Sequence, residues 1–226
     1  IDLHNSLMRF AIAAPLILIM LSGCTVQKSY VQIERKQFSD DNINVELPRF
    51  QNFSDNGFEK SLNDNYNRSV GTWIENFEKE RSKDEECSFS LEQQIMRNKA
   101  PVISVVGEAY VYTGGVHGAK SRIAENIDVI KNEDLKLADL FEDNSYEEAL
   151  NRQIQSIAEA NPDQYHDLWE KPMLSGINQE FFYLTDKELV VFYPPYELSY
   201  YAKGFVEFRI PYKDIVSYLK QEYKAL

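Results

Sequence analysis

The stretch Gly114-Gly115-Val116-His117-Gly118-Ala119-Lys120-Ser121 carries the residue types of a phosphate-binding loop, with glycines ahead of a lysine and a hydroxyl. Such a loop cradles phosphate when a glycine precedes the lysine and a helix follows, so that backbone N–H groups and the helix dipole face the anion. Here Ala119 takes the glycine position, and Ser121 to Ile130 alternate apolar and polar residues as a strand does. The stretch therefore reads as a hairpin turn, and no cofactor is expected. His117 and His166 stand apart from His4 in the folded part of the chain, and two imidazoles with a carboxylate could hold zinc. Neither stands in an HExxH motif or a clustered spacing, so no metal is expected. His117 should instead support the turn through a backbone carbonyl, and His166 should lie on the surface near Trp169. No serine occupies a Gly-x-Ser-x-Gly setting. Among 36 acidic residues nothing singles out a pair for glycoside hydrolysis. No catalytic residue is assigned.

Binding chemistry is better represented. Tyr193, Tyr196, Tyr200, Tyr201 and Phe205 surround Pro194-Pro195 and Glu197. Aromatic rings beside a carboxylate suit sugar stacking or a protein interface. The same rings could equally pack a long loop onto a sheet, with Glu197 satisfying backbone amides. The candidate binding residues are Tyr112, His117, Tyr193, Tyr196, Glu197 and Tyr200.

Cys24 offers a different chemistry. It ends Leu21-Ser22-Gly23-Cys24, behind eleven residues from Phe10 to Met20 that follow Arg9. That run falls short of the about twenty apolar residues a membrane span needs. Its length and the small residues after it are those of a signal peptide with its cleavage site. A thiol can take a diacylglyceryl thioether, and cleavage frees the amine for another acyl chain. At roughly 0.8 kcal/mol per buried methylene, two or three chains hold a protein on a membrane. Residues 1–23 are thus expected to be a lipoprotein signal peptide, with Met8 as the true start and 1–7 upstream of it. The expected location is the cell envelope, anchored through Cys24 outside the cytoplasm. Cys87, in a polar stretch with no histidine nearby, reads as a stray thiol.

Composition agrees with a folded body. Hydrophobic residues make up 43 % and aromatics 13 % of the chain, enough for a packed interior. The formal net charge of −12 argues against nucleic acid or an anionic lipid surface as partner, and would attract a cationic one.

The elements that must hold these residues can be read from periodicity. Segments 29–38 and 42–50 alternate as strands. A helix capped by Ser54 or Asp55 runs to about Arg81, with Phe58, Leu62, Tyr66, Val70, Trp73, Ile74 and Phe77 on one stripe. Strands at 102–112 and 121–130 flank the glycine-rich turn. Ser145 and Glu148 suggest a capping box for a second helix that Asn161-Pro162 ends. Strands at 180–185, 188–193 and 205–210 follow, then a helix over about 212–223. Short links make the sheet mainly antiparallel with helices packed on one face, an α+β fold.

Several ordered motifs resemble the extracellular module of RsiV-type anti-sigma factors and PdaC-type peptidoglycan deacetylases. They are Val111-Tyr-Thr-Gly-Gly-Val-His-Gly118, Leu137-Ala-Asp-Leu-Phe141, Phe182-Tyr-Leu-Thr-Asp186, Phe192-Tyr-Pro-Pro-Tyr-Glu197, Gly204 and Ile210-Pro-Tyr212. The resemblance spans about 28–220 and implies two adjoining lobes, 24–133 and 134–226. The sigma-binding segment and span of RsiV-type proteins, and the deacetylase domain of PdaC-type ones, are not expected here. In RsiV-type proteins the corresponding part binds lysozyme. The resemblance thus implies a non-enzymatic envelope protein that binds a wall-related ligand, either a lysozyme-like muramidase or peptidoglycan. A hydrolase acting on wall glycans and a structural envelope interaction protein are the alternatives.

Overall fold

The computed structural model describes residues 28–36, 38, 40–82, 86–169, 172 and 179–226. Cys24 and the leader lie outside the described residues.

Strands β1 (Val31–Lys36) and β2 (Ile43–Phe50) pair antiparallel. Helix α1 (Asn56–Glu80) starts where the Asp55 carboxylate accepts from the N–H groups of Gly57 and Phe58. It buries Leu62, Tyr66, Val70 and Phe77, the stripe expected from their spacing. Because α1 carries the chain back across the sheet, β3 (Ser88–Lys99) lies parallel to β2. Strands β4 (Val102–Tyr112), β5 (Ala119–Asp128) and β6 (Glu133–Asp134) then add antiparallel, giving a six-stranded sheet in the order β1-β2-β3-β4-β5-β6.

The second lobe follows. Helices α2 (Ser145–Ala160) and α3 (Pro162–Tyr165) precede a three-stranded antiparallel sheet of β7 (Phe182–Leu184), β8 (Glu188–Tyr193) and β9 (Val206–Pro211). Helix α4 (Tyr212–Ile215) ends it.

The sequence reading departs from this structure in particular places. It contains no strand at β3, because Gln93 sits where alternation wants an apolar residue and a bulge between Ile95 and Arg97 shifts the phase. The capping box at Ser145 does not form. Asp143 accepts from the Ser145 N–H, and Glu148 pairs with Arg152 one turn on. The expected helix over 212–223 stops at Ile215, because Leu219 forms a β-bridge with Phe141 and Lys220 N donates to Leu140 O.

The two sheets face each other, and the helices cover their outer faces. On one side of the first sheet Phe89, Leu91, Ile103, Val105 and Ile127 pack against α1. On the other side Val106, Met96 and Ala124 meet Tyr183, Val190 and Phe192 of the second sheet. The outer face of that sheet, with Val191, Phe208 and Ile210, packs on Leu150 and Ile154 of α2. β4 is therefore buried on both faces, which is why Val102 to Val106 reads as an apolar run interrupted only by Ser104.

Ser104 has a purpose there. β7 is an edge strand, and its Phe182 O and Leu184 N point away from β8. The Asn126 side chain donates to Phe182 O at 2.8 Å, and Leu184 N donates to Ser104 Oγ at 3.1 Å. Ser104 Oγ in turn donates to Asn126 Oδ1 at 2.7 Å, and both residues are buried. The first sheet thus supplies the hydrogen bonds that the second sheet's edge would otherwise lack. Around this clasp Arg97 reaches Asp186 at 3.0 Å, Arg122 reaches Glu207 at 2.6 Å, and Tyr223 donates to the buried Asp128 at 2.7 Å.

Asn126→Ala leaves Phe182 O without its donor and strands the Ser104 hydroxyl. It should lower unfolding free energy by about 2–3 kcal/mol, read from the urea midpoint at unchanged slope. An unchanged midpoint would show that the clasp contributes nothing.

Candidate functional site

The hairpin between β4 and β5 and the loop between β8 and β9 meet at one edge of the molecule. Gly114 (φ 108°) and Gly115 (φ 102°) turn the hairpin through a backbone region closed to most side chains. Tyr112 OH donates to Gly115 O at 2.9 Å and steadies the turn. Gly118 lies so close to Tyr110 that a Cβ would fall 2.5 Å from its ring. Any larger residue there would have to displace the Tyr110 ring.

The partner surface comes from the second lobe. Tyr201 OH donates to Gly118 O at 2.7 Å. Its ring stacks on His117 with centroids 4.9 Å apart, and Tyr196 leans on it with centroids 5.5 Å apart. His117 Nδ1 lies 3.0 Å from Gly118 O, a contact that the Nδ1–H tautomer makes as a donor. Tyr200 reaches Asp167, whose carboxylate pushes the phenol up, while the Lys203 ammonium and then Tyr200 hold Asp167 below the ordinary carboxylate range. Trp169 N donates to Leu198 O at 2.9 Å, which brings its indole to the same loop.

The structure thus brings Tyr112, His117, Tyr196, Glu197 and Tyr200 to one rim. Tyr193 does not join them: it is buried in the helix-side core, edge-on to Phe208 at 5.9 Å. Tyr196, Tyr200, Trp169 and Val116 are exposed at 59, 49, 59 and 100 %, with Tyr110 nearby at 36 %. Tyr201, Tyr110 and Trp169 were not among the candidate residues. The Pro-Pro-Tyr loop signalled Tyr201. Nothing local signalled Trp169, since long-range folding brings it there.

Other chemistry is more sparsely furnished. β5 starts at Ala119, so no helix follows Lys120 and the phosphate-loop geometry does not form. His166 is exposed near Asp163 O, and Cys87 is buried with Sγ 3.8 Å from Ser82 O. Among the described residues no group of three His, Cys, Asp or Glu side chains is placed to hold a metal. Beside the second sheet, on the same face of the first, a groove of about 670 Å³ includes Glu46, Glu92 and Glu108. Glu92 and Glu108 stand directly opposite across β3 and β4. Glu108 is held by Arg122, and the Gln93 N–H and Arg35 hold Glu46 below the usual carboxylate range.

Comparison with known proteins defines the class of module that this architecture represents. Residues 36–120 match the family model described as deacetylase PdaC, and residues 138–213 match that of a protein of unknown function, DUF3298. The chain is a two-domain module of unknown function, in which the segment similar to PdaC precedes the segment similar to DUF3298. A crystal structure of a DUF3298 family member from Bacteroides fragilis aligns with a TM-score of 0.67 at 18 % identity, covering 87 % of this chain and 96 % of that one. A DUF3298 family protein from Pseudomonas aeruginosa aligns at 0.61 and 15 % identity, covering 87 % and 94 %. Among curated proteins no match is found.

Tyr201→Ala removes both the stack on His117 and the hydrogen bond to Gly118. Amide exchange across residues 113–118 should accelerate roughly tenfold while the core amides keep their protection. Unchanged hairpin exchange would show that Tyr201 does not hold it.

Proposed function

We propose that this chain is a non-enzymatic cell-envelope protein, lipid-anchored through Cys24, that binds a wall-related ligand at the rim shared by its two lobes. The observation behind this reading is the gathering of Tyr110, Val116, Trp169, Tyr196 and Tyr200 at one edge, all exposed. Exposed apolar side chains that cluster, rather than scatter, mark a binding surface. Aromatic residues also dominate the energetics of protein interfaces. Glu197 lies within this patch, and the chain as a whole carries −12. A cationic partner would be steered to such a surface, and a muramidase of the lysozyme kind is the ligand that best fits. Peptidoglycan, whose sugars can stack on the same rings, is the other wall ligand.

Immobilised lysozyme should retain the protein at low salt and release much of it at moderate salt, as screening shortens the attraction. The double substitution Tyr196→Ala, Tyr200→Ala should weaken retention about tenfold or more. No retention at low ionic strength rejects the muramidase version, and undiminished retention of the double variant rejects the rim. Cys24→Ser should move the protein from the membrane fraction to the soluble one.

A further inference from the structure

A cleft of about 320 Å³ lies away from the rim, between α1 and the β5–β6 edge of the first sheet. Val70 and Ile123 give it an apolar floor, Trp73 one wall and Tyr66 its inner end. Glu125 and Asp134 close the polar side. They share one face because Asp134 pairs with Ile127, two residues beyond Glu125.

Neither carboxylate has a cationic partner among the described residues. Burial first, then Asp134 and Glu180, push Glu125 up to about 7. Burial and Glu180 raise Asp134 as well. Facing Glu125 from α1 is Tyr66, a phenol that burial holds neutral. Tyr66 OH accepts from Gln93 Nε2 at 2.7 Å, and Gln93 Oε1 is buried without a partner among the described residues. Gly107 makes room for that amide, since a Cβ there would stand 2.9 Å from it. The half-buried Glu125, the more exposed Asp134 and an indole wall around an apolar floor form a cleft whose two carboxylates meet no cation among the described residues.

We propose that this cleft binds a small alkylammonium ligand, with its cationic head between Glu125 and Asp134 and its stem over Val70 and Ile123 beside Trp73. An ammonium group supplies N–H donors to both carboxylates and can sit against an aromatic face. A neutral sugar would leave the two carboxylates repelling each other, and the donor set does not suit a metal ion. The inference is independent of the rim.

The chain has two tryptophans, so in a Trp169→Phe variant all indole fluorescence comes from Trp73 in the cleft. That variant is titrated with n-butylammonium chloride at constant ionic strength, with n-butanol as the neutral counterpart. Saturable fluorescence change is expected with the ammonium at pH 8, roughly tenfold weaker at pH 6, where most of Glu125 is protonated. Butanol should give no saturation over the same range. Adding Glu125→Gln should weaken ammonium binding about tenfold at pH 8 and abolish its pH dependence, while Glu92→Gln on the opposite face leaves both intact. Glu125→Gln should itself fold well. Its raised folded-state pKa favours the protonated form, so the stability it contributes at low pH is lost as pH rises through about 7, and glutamine avoids that loss. Absence of saturation by the folded protein at pH 8, equal saturation by butanol, or full binding by Glu125→Gln would each overturn the proposal.

Discussion

The architecture depends on how an edge strand of three residues is satisfied where no water reaches it. β7 presents Phe182 O and Leu184 N toward the first sheet, and Ser104 and Asn126 meet both. Leaving either group unpaired in the interior costs about 1–3 kcal/mol, so the sheets resist sliding or parting. Apolar contacts of Val106, Tyr183, Val190 and Phe192 alone would tolerate sliding, because they have no direction. Hydrogen bonds do, and they set one register between the lobes.

That register makes the rim a property of the pair of lobes. The hairpin at Gly114–Gly118 belongs to the first sheet, whereas Tyr196, Tyr200 and Tyr201 belong to the second lobe. Tyr201 bonds Gly118 only if the sheets meet in their present order. Arg122 reinforces the arrangement nearby: its side chain is 9 % exposed, and its guanidinium lies 4.1 Å from the Phe205 ring centroid and bridges Glu108 of one lobe to Glu207 of the other. A buried charge paired on both sides penalises separation more than it adds to stability, since removing a partner would strand it.

Much of the fold was legible because its signals are local. The α1 stripe, the glycine-rich hairpin and the paired strands near 180–185 and 188–193 each follow from spacing that a short window contains. What escaped depends on distant partners. β3 is written in polar residues because Gln93 serves Tyr66 and Arg97 serves Asp186, both remote in sequence. The chain after Ile215 has helical spacing, yet Leu219 is drawn into a bridge with Phe141. At the site the same division holds. The Pro-Pro-Tyr loop and His117 could be read, but burial of Tyr193 and arrival of Trp169 could not, because the side of a sheet that a residue faces is settled by its neighbours.

Single-tryptophan variants offer the most direct measurement of whether the lobes form one clasped unit. With Trp169→Phe, Trp73 reports the first lobe, and with Trp73→Phe, Trp169 reports the second. If Ser104 and Asn126 couple the lobes as described, relative unfolding midpoints from circular dichroism and from each indole coincide within each variant. A second lobe that melts ahead of the first, seen as an indole transition offset from the backbone signal, would contradict the account.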